Sequence, residues 1–575
     1  MKRYWKYIRP YIQYYILGPC FMMMEVVGDV LLPYMLAKII NQGIAERNVV
    51  YIIKIGAIMG FIAVIMAVGG VLGAWFASKA AMNFGADLRM DLFEKIQQFS
   101  FQNIDNFSTG SLITRLTNDI TQIQNMIMMT LRMCLRSPGI LIGAMVMAFV
   151  ISPKLAAIFI IVLPVLAVLI VVIMRRAFPQ FRTLQEKLDA LNSCIQEGLV
   201  GIRLIKSFVR GDYEEMRFEK RNQQLKEANL TAMKTMLLYT PLMTLALNIT
   251  TVVVVWSGGN MIVAGNMQVG DLTAFTNYIV QIMSSLTMLS IAFLNWARAI
   301  ASFRRVGEVL DEKIDLTDEN AKHKDRAVCE GSVEFQNVSF RYYKNSPEWV
   351  IENISFKLEA GKTLGIIGST GSGKSTLVSM IPRLYDTDEG TVFVDGINVR
   401  DYGLKPLREG IGMVLQNNTL FSGSITENLK WGDEHADEKA VRKAAQNAQA
   451  AGFIDSFKDG YRTRLEQSGN NVSGGQKQRL CIARALLKCP KILILDDSTS
   501  AVDTATERAI REALHSEYKD MTKIIIAQRI RSVMDADEIL VLDNGKTAGF
   551  GTHEQLLADC PVYREIYDVQ NGREE

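Results

Sequence analysis

A stretch of glycine, serine and one lysine, residues 368–376, has the composition and spacing of a phosphate-binding loop. It reads Gly-Ser-Thr-Gly-Ser-Gly-Lys-Ser-Thr and fills every fixed position of the pattern G-x-x-x-x-G-K-[ST]. The apolar run 362–367 precedes it and a helical pattern follows from Ser375, which is the strand–loop–helix context that the motif requires. In that context, backbone N–H groups and a helix N-terminus face an anion. The alternative is an incidental glycine-rich turn, but such a turn would not require every fixed position of the pattern to be filled.

The loop therefore predicts a site for a nucleotide and Mg²⁺. Lys374 would reach the β- and γ-phosphates, and the Ser375 hydroxyl would bind the metal ion. The predicted nucleotide contacts are Gly368, Ser369, Thr370, Gly371, Ser372, Gly373, Lys374, Ser375 and Thr376.

A second metal ligand is predicted at the end of an apolar run later in the chain. Residues 491–497 read Lys-Ile-Leu-Ile-Leu-Asp-Asp, and four consecutive apolar residues suit a strand that is buried on both faces. Asp496, at the carboxyl end of this strand, would hold Mg²⁺. A buried strand that ends in an acid is common, so this prediction depends on the phosphate loop that precedes it.

The segment Val472–Arg479, Val-Ser-Gly-Gly-Gln-Lys-Gln-Arg, resembles the signature of ATP-binding cassette (ABC) proteins, whose usual first residue is leucine. Cassettes of this family form composite sites, so the resemblance implies that the signature contacts the γ-phosphate of ATP bound by a partner cassette. The segment 476–487 reads as a helix, and Ser473 could also serve as its plain N-cap; both roles can hold together. The implied contacts are Ser473, Gly474, Gly475 and Gln476.

Further cassette motifs occur in the family's order. Tyr342 matches the aromatic residue that stacks on adenine, although an exposed strand tyrosine is the alternative and Tyr343 leaves the register open. Gln416 matches the glutamine that contacts Mg²⁺ and links to the membrane domain. Asp503 ends a match to the D-loop that begins at Ser500. Gln467 stands where the exporter pattern has an acid, and no role is assigned to it.

Two positions depart from the family pattern at residues that perform chemistry. In the family, the strand that ends in Asp496 is called the Walker B strand, and the residue after its aspartate is usually the glutamate that orients or deprotonates the attacking water. Here that residue is Asp497. Its carboxylate falls roughly 1–1.5 Å short, and a misplacement of about 1 Å can cost about a hundredfold in rate. The switch histidine is replaced by Gln528, a neutral amide that carries neither charge nor a proton.

Because the binding residues are complete, these departures resemble the degenerate-site subunit of heterodimeric bacterial ABC exporters of the multidrug type. The resemblance implies a homologous partner with an intact Glu and His, and hydrolysis mainly at the site that the partner's loop forms with this chain's signature. A homodimer with two weak sites is the alternative.

Long apolar runs are concentrated in the first 300 residues. We predict six membrane spans, since each run is long enough to cross a bilayer, and a soluble helical bundle is the alternative. Together with these spans, the ABC resemblance implies a six-helix, all-α transmembrane domain of the type I ABC exporter fold, joined to an α/β P-loop nucleotide-binding domain. The domains are 1–310, a charged linker 311–329, and 330–575, with spans at about 13–40, 50–77, 133–152, 154–174, 236–264 and 272–297.

Basic residues flank the spans on one side, which predicts that both termini and the cassette lie in the cytoplasm of a bacterium, with the spans in its cytoplasmic membrane. The family resemblance implies that the polar stretches 78–132 and 175–235 extend the spans into the cytoplasm. Their tips, 99–109 and 208–215, would dock on cassettes.

The transported molecule is the least constrained prediction. Glu25 and Asp29 lie four residues apart in the first span, where they could attract cationic amphiphiles into a cavity or make an interhelical hydrogen bond. Export of amphiphilic small molecules is predicted; a lipid or peptide exporter, and an ATP-binding regulator or scaffold without a transport cycle, are the alternatives. The net charge of +3 gives no case for nucleic acid, and seven scattered cysteines give none for a metal centre or disulfides.

Overall fold

The computed structural model describes residues 2–344, 346–498 and 502–572, which form two compact units. The helical unit comprises the chain up to Gln97 and Gly110–Asp311, and the α/β unit comprises Gln98–Thr109 and the chain from Glu312 onward.

The helical unit consists of long helices joined by short turns. Ser152 caps the helix that starts at Pro153, so the predicted hairpin between the third and fourth spans is a single-residue turn. The helices are Trp5–Ile8, Ile12–Lys38 with a π-helical continuation Ile39–Ile44, Val49–Gln97, Thr109–Thr114 with a π-helical turn Arg115–Asp119, Ile120–Met133, Arg136–Ile151, Pro153–Val200, Ile202–Ser207, Gly211–Leu237, Tyr239–Val263 and Val269–Asp311.

Five helical stretches within the described residues are long and apolar enough to cross a membrane: Trp5–Ile44, Val49–Gln97, Thr109–Ile151, Pro153–Val200 and Gly211–Val263. Each is 40 residues or longer, whereas about 20 residues span a hydrocarbon core, so each extends well beyond a bilayer. The sixth predicted span, 272–297, lies within the helix Val269–Asp311. Several of its side chains, including that of Asn295, are outside the described residues, and the count of six stays a prediction.

Small, aliphatic and aromatic residues together form the interior of the helical unit. Ala144, Ala148 and Ala156 are fully buried, and the rings of Phe159 and Phe275 stack with centroids 5.5 Å apart. Apolar side chains elsewhere on the same helices are exposed, which is expected of surfaces that face lipid.

The α/β unit contains two larger sheets and a short two-stranded ladder. The antiparallel sheet has the order β2-β1-β4-β5, the mainly parallel sheet has the order β12-β11-β3-β10-β9-β6, and β7 pairs with β8. The strands are β1 Val333–Phe340, β2 Ile351–Leu358, β3 Thr363–Gly368, β4 Glu389–Val394, β5 Ile397–Asn398, β6 Ile411–Val414, β7 Gly423–Ser424, β8 Arg464–Leu465, β9 Ile492–Asp496, β10 Thr522–Ile526, β11 Glu538–Asp543 and β12 Lys546–Gly551.

Helices cover the mainly parallel sheet and complete the α/β unit. β9 is buried at all five positions, as the apolar run in the sequence predicts for a central parallel strand. The helices are Phe101–Asp105, Lys374–Ser379, Leu404–Glu409, Ile425–Leu429, Glu438–Asn447, Ala451–Ser456, Gly474–Leu487, Thr504–Glu517, His553–Asp559 and Pro561–Asn571.

The register of the parallel strands brings the predicted site residues to one edge. Ile526 pairs with Asp496 and with Ile366, and Val414 pairs with Leu495. The carboxyl ends of β3, β10, β9 and β6 therefore lie side by side, which is where open α/β sheets bind ligands.

The segment after Asp311 packs on the α/β unit. It has no helix and no named strand, but Leu316 and Val328 are buried, and His323 forms an isolated bridge with Tyr402. Val328 belongs to the apolar core of the α/β unit, and the assignment of 311–329 as a linker stays a prediction.

Candidate nucleotide site

The phosphate loop follows β3 and has the backbone that its glycines permit. Gly371 and Gly373 have φ angles of +85° and +89°, in the left-handed region. A Cβ at Gly373 would lie 2.5 Å from a methyl carbon of Ile351 and 2.9 Å from the carbonyl oxygen of Val350. A larger residue cannot occupy this position without moving β2, so the loop requires glycine here.

The Lys374 ammonium lies over this loop. It donates hydrogen bonds to the carbonyl oxygens of Gly368 (2.9 Å) and Ser369 (2.7 Å). Burial lowers the pKa of Lys374, and the carboxylates of Asp496 and Asp497 act in the opposite direction. The loop carbonyl oxygens therefore hold the ammonium in place, and the oxygens of a bound phosphate would compete with them for its hydrogen bonds.

The two residues predicted to bind Mg²⁺ are in contact. The Ser375 hydroxyl donates a hydrogen bond of 2.9 Å to a carboxylate oxygen of Asp496, although the two residues are far apart in the sequence. Burial raises the pKa of Asp496, the Ser375 hydrogen bond opposes that rise, and the neighbouring Asp497 reinforces it. A hydroxyl beside a carboxylate suits a hard cation that also binds phosphate oxygens, and such an ion would supply positive charge next to the phosphates.

Asp497 and Gln528, the two departures from the family pattern, are hydrogen-bonded to each other. The Gln528 amide nitrogen lies 2.8 Å from the Asp497 carboxylate, so the amide donates and the carboxylate accepts. Burial raises the pKa of Asp497, and this hydrogen bond and Lys374 lower it. Asp497 has a φ of 47°, a left-handed conformation that the short side chain of aspartate tolerates better than most.

The aromatic residue Tyr342 lies beside the helix that follows the phosphate loop. Its hydroxyl is 2.9 Å from the Thr376 hydroxyl, and its ring meets Tyr385 edge-on with centroids 5.4 Å apart. Tyr342 is 38% exposed and Tyr343 is 73% exposed. The Tyr342 ring is thus held next to the helix that follows the phosphate loop and is partly exposed, and its contact with adenine stays a prediction.

The signature begins a helix, as its sequence predicts. Ser473 accepts a hydrogen bond from the backbone N–H of Gln476, and the Gln476 side chain accepts one from the backbone N–H of Ser473, which forms a capping box. Gly474 and Gly475 form the first turn of the helix Gly474–Leu487, whose remaining free N–H groups suit an anion. Ser473 is therefore the N-cap of this helix, and its contact with a nucleotide bound by a partner stays a prediction.

The remaining predicted contacts are in or next to loops at the same edge of the sheet. Gln416 is exposed, two residues beyond the end of β6. Asp503 caps the helix Thr504–Glu517 by accepting hydrogen bonds from the N–H and hydroxyl of Thr506, which lower its pKa. Ser500 and Ala501 of the predicted D-loop are outside the described residues.

Two contacts near the site were not predicted from the sequence. The Gln570 side chain, on the last helix, donates to the carbonyl oxygen of Gln528 and accepts from the N–H of Ile530, both at 2.8 Å.

The second of these contacts is made by Tyr385. Its hydroxyl donates to Asp105 at 2.9 Å, and its ring lies against Phe101 with centroids 5.9 Å apart. Phe101 and Asp105 lie in the tip 99–109 that was predicted to dock on a cassette, here called the predicted coupling tip. This tip belongs to the α/β unit, and it contacts the Tyr385 ring, which lies beside Tyr342.

The acid pair of the first predicted span has a basic partner within the helical unit. One Arg136 nitrogen lies 2.8 Å from Glu25 and 3.3 Å from Asp29. The cluster therefore has one positive and two negative groups, and the contacts favour an interhelical role over two unpaired acids.

Comparisons with known proteins agree with this architecture. The family model "ABC transporter transmembrane region" matches residues 15–286, and the model "ABC transporter" matches residues 351–500. The chain is similar to two Bacillus subtilis (strain 168) proteins. "Uncharacterized ABC transporter ATP-binding protein YfiB" is 39% identical over 100% of this chain and 99% of that protein. "Putative multidrug export ATP-binding/permease protein YgaD" is 33% identical over 99% of each.

A solved structure has the same fold. It is titled "Structure of a bacterial Atm1-family ABC exporter with ATP bound", and it is 24% identical, with a TM-score of 0.81, over 98% of each chain. This likeness confirms the predicted fold class, a helical transmembrane domain of the type I exporter fold fused to a P-loop nucleotide-binding domain.

The chain belongs to the ABC transporter family, as an exporter half in which a membrane domain precedes its cassette. It is a membrane-spanning protein whose cassette binds ATP to drive transport.

Proposed function

We propose that this chain is the degenerate-site half of a heterodimeric exporter, and that its own nucleotide site binds ATP and Mg²⁺ but hydrolyses ATP slowly. The single observation that carries the proposal is the contact between Asp497 and Gln528. These residues occupy the positions where the family usually has a glutamate and a histidine, and they bind each other at the edge where a nucleotide would lie.

The chemistry of that pair explains slow hydrolysis. A positioned general base contributes about 10²–10⁴-fold to a rate, and the shorter aspartate places its carboxylate one methylene further from an attacking water. The Gln528 amide already donates to that carboxylate and cannot accept a proton in its place. Both changes therefore act on the chemical step.

The binding half of the site supports the same proposal. Lys374, Ser375 and Asp496 are within hydrogen-bond reach of their loop or of one another. The capping box starts the signature helix at Gly474, so the remaining N–H groups of its first turn are available to an anion. The active composite site would then consist of the partner's phosphate loop and Ser473–Gln476 of this chain, while the slow site pairs this chain's loop with the partner's signature.

The partner can be tested directly. The full chain is tagged in its native bacterium, extracted in mild detergent, and the associated proteins are identified and quantified by mass spectrometry. We expect one homologous ABC half in equal amount, with glutamate and histidine at the positions that correspond to Asp497 and Gln528. Recovery of this chain with only copies of itself would contradict the heterodimer.

For the transported molecule we propose an amphiphilic small molecule, in agreement with the name of the relative YgaD. The test uses inside-out vesicles that contain the complete transporter, with ethidium, a neutral fluorescent amphiphile and a fluorescent phospholipid as separate probes. ATP-dependent movement of either small amphiphile supports the proposal. Movement of the phospholipid alone would replace it with lipid export.

A further inference from the structure

The last helix of the chain holds the segment that carries Gln528. This helix, Pro561–Asn571, ends where Gly572 takes a left-handed φ of 72° and donates its N–H to the carbonyl oxygen of Asp568. Tyr563, on its first turn, is fully buried in a cluster that includes Ile530 and Ile367. The helix is therefore packed against both residues 527–530, here called the switch segment, and β3, the strand that enters the phosphate loop.

Gln570 makes two hydrogen bonds to the switch segment from one side chain. Its amide nitrogen donates to the carbonyl oxygen of Gln528, and its amide oxygen accepts from the N–H of Ile530, each at 2.8 Å. Among side chains of this length only an amide can both donate and accept, since a carboxylate only accepts and an ammonium only donates. The residue type therefore matches the two backbone groups it satisfies.

The same backbone directs the Gln528 side chain. The Gln528 amide donates to Asp497, while its own carbonyl oxygen accepts from Gln570. On the other side, the N–H of Ala527 is bound to the carbonyl oxygen of Ile366 in β3. Residues 527–530 are thus fixed by β3 at one end and by Gln570 at the other, and this arrangement fixes the direction from which residue 528 meets Asp497.

We infer that Gln570 is a positioning residue for the switch segment, and that the last helix thereby controls the chemical step at this chain's own nucleotide site. The inference rests on the proposed function, because it takes residues 497 and 528 as the chemical positions. A change that removes only the two Gln570 hydrogen bonds would therefore change turnover at that site without changing the groups that bind ATP.

The first test measures the two hydrogen bonds between Gln570 and the switch segment by amide hydrogen exchange, on the full chain in lipid nanodiscs. Gln570→Leu removes both hydrogen bonds at nearly constant volume, and we expect exchange at Ile530 to rise by about three- to tenfold, with the phosphate-loop peptides unchanged. Gln570→Glu keeps an acceptor for Ile530 and loses the donor to Gln528, so protection at Ile530 should remain.

The matched control is Gln555→Leu. Gln555 lies on the neighbouring helix, where its side chain accepts a hydrogen bond of 2.9 Å from the N–H of Thr552. This variant tests for general loosening of the region, and we expect no change in exchange at Ile530. Unchanged exchange in Gln570→Leu would overturn the inference whatever the state of the proposed function.

The second test measures turnover in the variant Asp497→Glu with Gln528→His, again in nanodiscs. Adding Gln570→Leu or Gln570→Glu should lower kcat by about threefold or more and leave the KM for ATP unchanged, because neither touches a binding residue. Gln555→Leu should leave both constants unchanged. A kcat that is the same with and without Gln570→Leu would overturn the positioning role.

Failure of the proposed function can be distinguished from failure of the inference about Gln570. If the double change at 497 and 528 does not accelerate hydrolysis, the proposed function fails, yet the ratio of kcat with and without Gln570→Leu can still be read within each background. A rise in KM with an unchanged kcat would assign Gln570 to nucleotide binding and overturn the inference.

Discussion

On one side of the nucleotide site, Lys374 lies over the phosphate loop and Ser375 binds Asp496; on the other side, at the ends of β9 and β10, Asp497 binds Gln528. The first side contains the residues that we predict to hold ATP and Mg²⁺. The second side differs from the family at both residues that would act on water and the γ-phosphate.

Under the proposed function, this difference separates binding from chemistry within a few residues of one strand. Asp496 and Asp497 are adjacent, and burial raises the pKa of both, but the first faces Ser375 and the second faces Gln528. A chain that had lost its function by drift would have no reason to keep one side complete. The predictions below test the two sides separately.

The largest effect is expected on the binding side. Lys374→Met removes the only ammonium that the described structure places over the phosphate loop, and we expect ATP affinity to fall by about a hundredfold or more, since charge-assisted hydrogen bonds to phosphate are lost. Equilibrium binding of a fluorescent ATP analogue measures it. The control is Lys362→Met, near the start of β3, where the lysine is paired with Asp537 instead. Equal losses in the two variants would contradict the assignment.

A smaller effect is expected at the aromatic edge of the site. Tyr342→Ala removes the ring beside Thr376, and loss of base stacking worth about 1–3 kcal/mol should weaken ATP binding by about five- to a hundredfold. Tyr342→Phe keeps the ring and should bind ATP nearly as well. Tyr343→Ala is the matched control, and the prediction is wrong if it has the larger effect in the same binding assay.

The smallest effect is expected at the contact between Tyr385 and the predicted coupling tip. Tyr385→Phe removes this hydrogen bond and Asp105→Asn weakens it, which should lower substrate-stimulated ATPase of the complete transporter by about two- to tenfold with basal ATPase unchanged. If the two residues act through this bond, the double variant should be no worse than the single ones. Additive losses would indicate that they act separately.

Local patterns in the sequence were sufficient for much of the fold and of the binding site. The phosphate loop, the buried strand β9 and the signature helix each depend on neighbouring residues, and each lies within a residue or two of its predicted bounds. Motif order predicted that Ser375 and Asp496 bind the same Mg²⁺, and the structure adds that they are in contact, since parallel strands bring their carboxyl ends together.

The contacts that sequence reasoning missed join distant parts of the chain. Gln570 meets the switch segment 42 positions away, and Tyr385 meets Asp105 280 positions away. Nothing in the local pattern around either residue marks a partner. Arg136 opposite Glu25 is a similar case, since the sequence shows an acid pair in an apolar run but not which basic residue faces it.

ATP turnover of this chain alone, reconstituted in lipid nanodiscs, tests the central claim most directly. The account predicts that the chain binds ATP but hydrolyses it slowly, and that Asp497→Glu with Gln528→His raises hydrolysis by about tenfold or more with ATP affinity unchanged. Rapid hydrolysis by the unaltered chain, equal to that of the double variant, would contradict it.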